Sequence, residues 1–351
     1  MIASVVVDRH RERIIAEQVA IEVLRAGAPR AASRRRRIVD EHVAAYLFLL
    51  PAAAVILVFK IFPAFFAFYI SLFRWDVIQG PFRGMDNYLD ILVANSTRAE
   101  QFWRSLSTTV TYTLLTIPLE IAIAIAIAYL LFGRMRGRGF YRTLYYLPYV
   151  TSTIAAATAF EWLYHPQYGP LNDLVGLVGV GRQDWLGEPD GVFAMIGSAF
   201  GAAVPAIAAG PSLALVAVSL MSIWHYIGFQ VVIFLAGLGG ISPEYYEAAR
   251  LDGASEWQIF RKITFPLLSP TTFFVFTIAT IASLRVFNQI YVLTNGGPLD
   301  TTRTVTMLVF RTFFQQTQLG LGAAMAFLLT LIILAFTLVQ FRVLGRRVFY
   351  G

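Results

Sequence analysis

The chain has 351 residues, of which 57% are hydrophobic and 14% are charged. Soluble domains carry about 25% charged residues, so this composition predicts an integral membrane protein. The sequence contains no cysteine, which excludes disulfides, thiolate zinc sites, cysteine nucleophiles and cysteine-ligated iron–sulfur clusters. The phosphate-binding loop of P-loop ATPases and the common hydrolase and zinc-protease motifs are also missing. We therefore expect neither an enzyme nor a cofactor or metal bound to this chain.

Six apolar stretches are long enough to cross a bilayer, in which a backbone satisfies its polar groups as a helix. They are residues 43–73, 106–132, 144–164, 213–236, 267–293 and 319–344. The sequence thus predicts an all-α membrane protein, a polytopic bundle with six main transmembrane helices. Residues 43–351 form the predicted transmembrane domain, and residues 1–42 precede it as an N-terminal arm.

The positions of the basic residues predict the orientation, since cytoplasmic loops hold an excess of Lys and Arg. With both termini in the cytoplasm, 19 of the 28 basic residues are cytoplasmic, 7 are outside, and Lys60 and Arg285 lie within spans. The net positive charge is therefore explained by topology, so we expect contact with membrane lipid and no nucleic acid. In the arm, apolar residues at helical spacing between Asp8 and Arg25 predict a helix, and Arg34–Arg37 predict a positive-inside anchor.

Residues 190–211 are apolar as well, but they are rich in Gly and Pro. A seventh span here would move the basic C-terminal tail to the outside. We therefore interpret this stretch as an outer insertion, interfacial or re-entrant.

The loop between the fourth and fifth spans, residues 240–270, predicts a helix-turn-helix. Ser242 suits the N-cap of a first helix and Pro243 its first position. Asp252-Gly253 ends this helix, because glycine accepts left-handed backbone angles. A second short helix is expected from about Ala254 to Pro266. Such an arrangement is compatible with a purely structural elbow between two spans.

The residues of this loop closely resemble the coupling loop, or EAA loop, of permease subunits in binding-protein-dependent ABC importers. The matching positions are Glu247, Ala248, Ala249, Asp252, Gly253, Ala254, Phe260, Ile263, Pro266 and Pro270. Runs similar to the carbohydrate-uptake branch are LFLLPAAAVILVFKIFPAFFAFYISLF, FYRTLYYLPYVTSTIAAATAFEWLYHPQYGPLN and FNQIYVLTNGGP. The resemblance covers about residues 42–351; the arm and the outer insertion depart from the family pattern.

The resemblance implies a mechanism and a set of partners. The chain would be one permease of a heterodimer in a bacterial or archaeal cytoplasmic (inner) membrane, moving a sugar or related polyol that an external binding protein delivers. Two cytoplasmic P-loop ATPases would bind ATP and Mg²⁺. The residues implied to contact or support the ATPase are Glu247, Ala248, Ala249, Asp252, Gly253, Ala254, Trp257 and Phe260. Trp257 and Phe260 would each either dock or pack beneath the loop.

Polar residues within the later spans are candidates for the substrate pathway, because such residues are costly in lipid. Arg285, Asn288 and Gln289 have spacings that place them on one face of a continuous fifth helix. Tyr291 suits stacking on a sugar ring or anchoring at the interface. On the fourth span, Tyr226 and Gln230 interrupt an apolar run.

Two intramembrane charges, Glu120 and Arg285, keep alternatives open. They are compatible with a salt bridge between helices, or with an ion-coupled secondary transporter. A membrane anchor with no pathway of its own is a third interpretation. Glycerol phosphate is an alternative substrate that would make use of Arg285.

Overall fold

The computed structural model describes residues 17–19, 21–22, 31–93, 96–133, 136–345 and 348. The helix predicted over Asp8–Arg25 lies mostly outside these residues, as do the side chains of the predicted anchor Arg34–Arg37. The chain divides into two compact units, residues 1–66 and 67–351. The predicted boundary of the arm at residue 42 stays a prediction.

The first unit contains the start of the first predicted span. Helix α1, Ala31–Ile56, continues through a π-helical turn, Leu57–Ile61, into α2, Phe62–Ser71. Pro63 has no backbone N–H to donate to the preceding turn, which is a common cause of such a local change in helical pitch.

The second unit is a helical bundle with one small hairpin. Strands β1 and β2 pair antiparallel, with Phe73 opposite Phe82 and Trp75 opposite Gln79; the sequence analysis did not predict them. The elements after α2 are β1 (Phe73–Trp75), β2 (Gln79–Phe82), α3 (Asp86–Leu92), α4 (Thr97–Phe132), α5 (Arg138–Val150), α6 (Thr153–Leu163), α7 (Pro170–Gly176), α8 (Val192–Ala199), α9 (Leu213–Gly239), α10 (Pro243–Leu251), α11 (Glu256–Ile259), α12 (Phe265–Leu267), α13 (Ser269–Leu284), α14 (Asn288–Leu293), α15 (Val305–Phe310) and α16 (Leu319–Val343).

Continuous helices account for four of the predicted spans. Those long and apolar enough to cross a membrane, within the residues described, are His42–Ser71, Thr97–Phe132, Leu213–Gly239 and Leu319–Val343. The predicted third span is two helices, α5 and α6, which meet at Thr151 and Ser152. Pro148 contributes to this break because it cannot donate a hydrogen bond within the last turn of α5. The count of six spans stays a prediction.

The fifth predicted span is also interrupted. Helix α13 ends at Leu284, and α14 begins at Asn288. Before α13, the helical segment Glu256–Leu267 is bent from it by 63°. A π-helical turn, Phe260–Thr264, precedes Pro266 in this segment. The expectation of one continuous fifth helix is therefore wrong.

Helix α4 runs through all three apolar clusters of the core. Phe102 packs with residues of α3, α15 and α16 near the start of the helix. Tyr112 packs with residues of α6, α9 and α14. Ala124 and Leu131 pack with α9 and α13 toward its end. Buried apolar side chains along α4 thus make the dispersion contacts that hold these other helices of the second unit against it.

Backbone hydrogen bonds join the two ends of the outer insertion. The N–H of Val192 donates to the Pro211 carbonyl at 2.9 Å, and the N–H of Phe193 donates to the Ala209 carbonyl at 3.0 Å. Helix α8 within it has eight residues, about 12 Å of rise, which is too short to span a bilayer. An interfacial or re-entrant position of the insertion stays a prediction.

Gly228 allows α9 to approach α5 closely, since a Cβ atom there would overlap the Tyr145 carbonyl oxygen. We expect Gly228→Ala to push the two helices apart and to lower stability by about 1–3 kcal/mol. The change is measured as the melting temperature of the detergent-solubilised protein. Gly239→Ala on the same helix is the matched control, because a Cβ there meets no atom within 4 Å. Equal melting temperatures for the two variants would contradict this packing.

Candidate functional site

A cavity of about 230 Å³ lies between α4, α5, α9, α13 and α14. The interruption between α13 and α14 forms part of its wall, with Arg285, Val286 and Phe287 lining it. Irregular backbone at membrane depth is tolerated where it is covered by protein or lines a cavity. The broken fifth span and the cavity are therefore parts of one feature.

Five of the six residues predicted for the substrate pathway line this cavity. They are Tyr226, Gln230, Arg285, Asn288 and Gln289. The structure brings them together from two helices and from the break between α13 and α14, although Arg285, Asn288 and Gln289 do not share one continuous helix. The sixth, Tyr291, lies outside the cavity, and its ring stacks on Phe287 at 5.4 Å between centroids.

Two hydrogen bonds hold polar side chains at the cavity wall. The Gln230 Nε2 group donates to Glu120 Oε2 at 2.6 Å, and both residues are buried. The Gln289 Nε2 group donates to the Tyr226 hydroxyl at 3.0 Å. These bonds connect α4 to α9 and α9 to α14, so each fixes a helix pair as well as a side chain.

Glu120 does not form the salt bridge with Arg285 that the sequence suggested. Its carboxylate accepts from Gln230, while Arg285 is an exposed residue at the C-terminal end of α13. No ion pair within the described part of the chain includes either residue. Glu120 and Arg285 therefore both line the cavity without pairing with each other.

Aromatic side chains that the sequence analysis did not single out complete the cavity. Tyr149 of α5 stacks on Phe229 of α9 at 4.7 Å between ring centroids, and both line the cavity together with Tyr112. Tyr112 lies eight residues before Glu120 on the same side of α4. This spacing could have predicted from the sequence that Tyr112 lines the cavity. No pattern in the sequence predicts that Tyr149 lines the cavity, because its position depends on how α5 packs against α9.

The predicted helix-turn-helix is present as α10, a turn and α11. Gly253 has a φ of +76°. The Ala254 N–H donates to the Ala249 carbonyl at 3.0 Å and the Gly253 N–H to the Arg250 carbonyl at 3.1 Å. This pattern is the Schellman motif, which satisfies the last carbonyls of a helix. Ser242 occupies the N-cap position of α10 with Pro243 next to it, but its side chain makes no capping hydrogen bond.

The second helix of this loop has a stronger start than the sequence analysis expected. Ser255 and Gln258 form a capping box at the beginning of α11. The Arg250 guanidinium bonds to Glu256 Oε1 at 3.2 Å across the turn. The ion pair bridges the turn, while the Schellman motif fixes the end of α10 and the capping box fixes the start of α11. Together these contacts hold the two short helices as one element.

The two aromatic residues of the loop differ in their surroundings. The Phe260 ring contacts Tyr129 of α4 at 4.9 Å between centroids and packs against the apolar core. Trp257 stacks on Phe260 at 5.6 Å but remains 67% exposed. Phe260 therefore packs beneath the loop. Glu247, Ala248, Asp252 and Gly253 are exposed, and Ala249 and Ala254 are half-buried.

The loop after α14 is held by turns and by a cluster of charges. Asn295 and Gly296 have φ values of 47° and 82°, and the Gly297 N–H donates to the Thr294 carbonyl at 2.8 Å, so these residues form a tight turn. Asp300 bonds Arg303 at 2.7 Å and Arg311 at 3.2 Å. Burial lowers the pKa of the Arg303 guanidinium, and the Asp300 carboxylate opposes that shift. This cluster fixes the connection to α15.

Residues 90–350 match the family model described as the binding-protein-dependent transport system inner membrane component. That match covers more than half of the chain. The chain belongs to this family. It is therefore a membrane permease component of a transport system, and the expectation that it is not an enzyme is confirmed for the family as a whole.

Relatives with assigned transport systems extend over most of the chain. A trehalose/maltose transport system permease protein of Thermococcus litoralis is 35% identical and covers 85% of this chain and 92% of its own. An sn-glycerol-3-phosphate transport system permease protein of Agrobacterium fabrum is 31% identical, covering 87% of this chain and 96% of its own. An arabinooligosaccharides transport system permease protein of Bacillus subtilis is 28% identical, covering 87% and 90%.

A solved structure shares the fold. The bacterial ABC transporter involved in import of the acidic polysaccharide alginate has a chain that matches with a TM-score of 0.72 at 22% identity, covering 89% of this chain and 99% of that chain. The same transporter in complex with an alginate pentasaccharide-bound periplasmic protein matches with a TM-score of 0.71 at 21% identity, covering 90% and 98%. The predicted helical permease fold is thereby confirmed.

The absence of cysteine from the sequence makes the cavity directly testable. Ala282 lines the cavity, whereas Thr280, two residues earlier on α13, is buried and accepts a hydrogen bond from Gln340. We expect a cationic methanethiosulfonate reagent to modify Ala282→Cys quickly and Thr280→Cys slowly, because the reagent reacts with a thiolate that water can reach. Mass spectrometry of the intact protein measures both rates. Equal rates at the two positions would contradict an accessible cavity on this face of α13.

Proposed function

We propose that the chain is one of two different permease subunits of an ATP-driven importer for a sugar or related polyol. The observation that carries the proposal is the cavity, in which hydrogen-bonding side chains and an aromatic wall converge from several membrane helices. Sugar hydroxyls suit the amide and carboxylate groups, and the apolar faces of a sugar ring suit the aromatic side chains. The trehalose/maltose and arabinooligosaccharide relatives support this substrate class.

The helix-turn-helix of α10 and α11 is the proposed coupling element. Leu251 and Trp257 are 89% and 67% exposed at its surface, so it offers apolar contact area to a partner. Phe260 of this loop contacts Tyr129 of α4. Glu120, nine residues earlier on the same helix, lines the cavity. A partner that displaces the loop therefore also moves α4, and with it one wall of the cavity.

The partners in this proposal are two cytoplasmic P-loop ATPases, a second permease and an external binding protein. ATP and Mg²⁺ bind to the ATPases, since the chain itself lacks a phosphate-binding loop. The alginate transporter crystallised with a periplasmic protein supports a binding-protein partner. The chain lies in the cytoplasmic (inner) membrane of a bacterium or archaeon, and we propose six spans with both termini in the cytoplasm.

The coupling proposal predicts the outcome of co-purification after mild detergent extraction. We expect a P-loop ATPase and a second permease to accompany the native chain. Glu247→Arg and Gly253→Pro should lose the ATPase but keep the second permease, because one reverses a surface charge and the other disrupts the Schellman turn. Glu100→Arg is the matched charge reversal, since Glu100 lies about 44 Å along α4 from Tyr129 at 1.5 Å per residue. Retention of the ATPase by both loop variants would contradict the assignment.

The energy source is tested in proteoliposomes that contain the co-purified importer and its binding protein. We expect uptake of labelled trehalose to require ATP on the side of the ATPase and to be nearly abolished by Gly253→Pro. Uptake that persists without ATP when only a proton or sodium gradient is imposed would instead support an ion-coupled carrier. The same preparation is assayed with labelled sn-glycerol 3-phosphate, the alternative substrate that the Agrobacterium fabrum relative suggests.

A further inference from the structure

The outer insertion has an apolar surface that the described part of the chain leaves uncovered. Phe193 and Ile196 of α8 are 58% and 51% exposed, and Phe200, the residue that follows the helix, is 85% exposed. Their spacing of three and four residues places all three on one face of the helix. Because α8 itself contains no buried residue, this apolar face is not part of the core and is available to another molecule.

The chemistry of the insertion favours lipid over a protein partner. Residues 191–212 contain no charged side chain, and their only polar side chains are Ser198 and Ser212. The Ser198 hydroxyl donates to the Met195 carbonyl at 2.8 Å, and the Ser212 hydroxyl accepts from the Leu215 N–H at 3.2 Å. Protein interfaces carry about one hydrogen bond per 100–200 Å² and are enriched in Arg, Tyr and Trp. This surface offers a protein few such contacts, whereas lipid chains require none.

The insertion is attached at the level where a membrane-spanning helix begins. The Asp190 carbonyl accepts at 3.1 Å from the N–H of Leu213, the first residue of α9. The bond from Val192 to Pro211 holds the start of α8 beside the same boundary. A helix at a membrane surface buries its apolar face about 5–10 Å into the boundary between headgroups and acyl chains. The apolar face of α8 is therefore within reach of the lipid.

The return limb of the insertion does not fit a re-entrant path through hydrocarbon. The N–H groups of Ala203 and Val204 donate to no carbonyl among the described residues, and Pro205 follows them. Irregular backbone with free polar groups does not occur in contact with lipid chains, because nothing there satisfies them. Water and headgroups satisfy such groups at the membrane surface. The backbone therefore fits the interfacial zone, while the apolar side chains of α8 fit the lipid below it.

We propose that the outer insertion is a membrane-surface anchor, in which Phe193, Ile196 and Phe200 lie among the lipids. With both termini in the cytoplasm, as proposed above, these are the lipids of the outer leaflet. Ser198 is exposed on the opposite side of α8 and faces water or headgroups. Asp190 limits the depth of the insertion, because a carboxylate is costly in hydrocarbon. The anchor adds a lipid-binding role that neither the cavity nor the helix-turn-helix provides.

The test uses single-cysteine variants with a nitroxide spin label, since the native chain has no cysteine. The importer, with any cysteines of its partner subunits replaced, is reconstituted into vesicles of phosphatidylcholine and phosphatidylglycerol. Electron paramagnetic resonance measures collisions of the label with oxygen, which concentrates in lipid, and with a nickel chelate, which stays in water. We expect the oxygen-to-nickel ratio at Phe200→Cys to be several times that at Ser198→Cys, the matched control across α8. Phe193→Cys should give the same ratio as Phe200→Cys, because both residues share one face.

Any of three results overturns the anchor. Equal ratios at Phe200→Cys and Ser198→Cys would show that α8 has no lipid-facing side. Few collisions with either reagent at Phe200→Cys would show that a protein covers this face. A label at Ser198→Cys as deep in hydrocarbon as that at Phe200→Cys would show a re-entrant insertion. Melting temperatures identify any variant that misfolds, and Ile196→Cys then takes its place. Failure of the proposed function is seen separately, because the native chain would purify without an ATPase.

Discussion

The packing of α4 along α9 is the contact on which the rest of the second unit depends. It is the most extensive helix pair among the residues described. At its middle, the hydrogen bond between Glu120 and Gln230 sets the rotation of one helix against the other. Toward its end, Ala124 and Leu131 pack with α9 in the same apolar cluster. Since lipid provides no hydrophobic force between helices, close packing and interhelical hydrogen bonds determine this geometry.

Helix α4 also connects the cavity to the helix-turn-helix of α10 and α11. Glu120 of α4 lies at the cavity, and Tyr129, nine residues later, contacts Phe260 of the helix-turn-helix. The loop is internally stiff because the Schellman turn, the capping box and the ion pair between Arg250 and Glu256 act on the same few residues. A stiff loop resting on a continuous helix is the arrangement expected of a rigid-body switch.

The breaks in the third and fifth spans also have a common consequence. Tyr149 of α5 lies just before the break at Thr151, and Arg285 lies at the end of α13. Both residues line the cavity. Interrupted helices free backbone polar groups and change the direction of side chains, so they create a polar space that a bundle of straight helices would fill with apolar contacts. The cavity is therefore a product of irregularity in otherwise regular helices.

The sequence by itself determined the membrane class, the apolar segments, the helix-turn-helix and five of the six cavity residues that it proposed. These follow from local causes: lipid requires internally bonded apolar helices, Gly253 accepts a left-handed turn, and polar residues are costly in a span. Only the tertiary structure decided that Glu120 bonds Gln230, 110 positions away, rather than Arg285. It also decided that Tyr149 completes the cavity, that Tyr291 lies outside it, and that Phe260 packs beneath the loop. These outcomes depend on the rotation and bending of packed helices, which short-range spacing along a sequence does not specify.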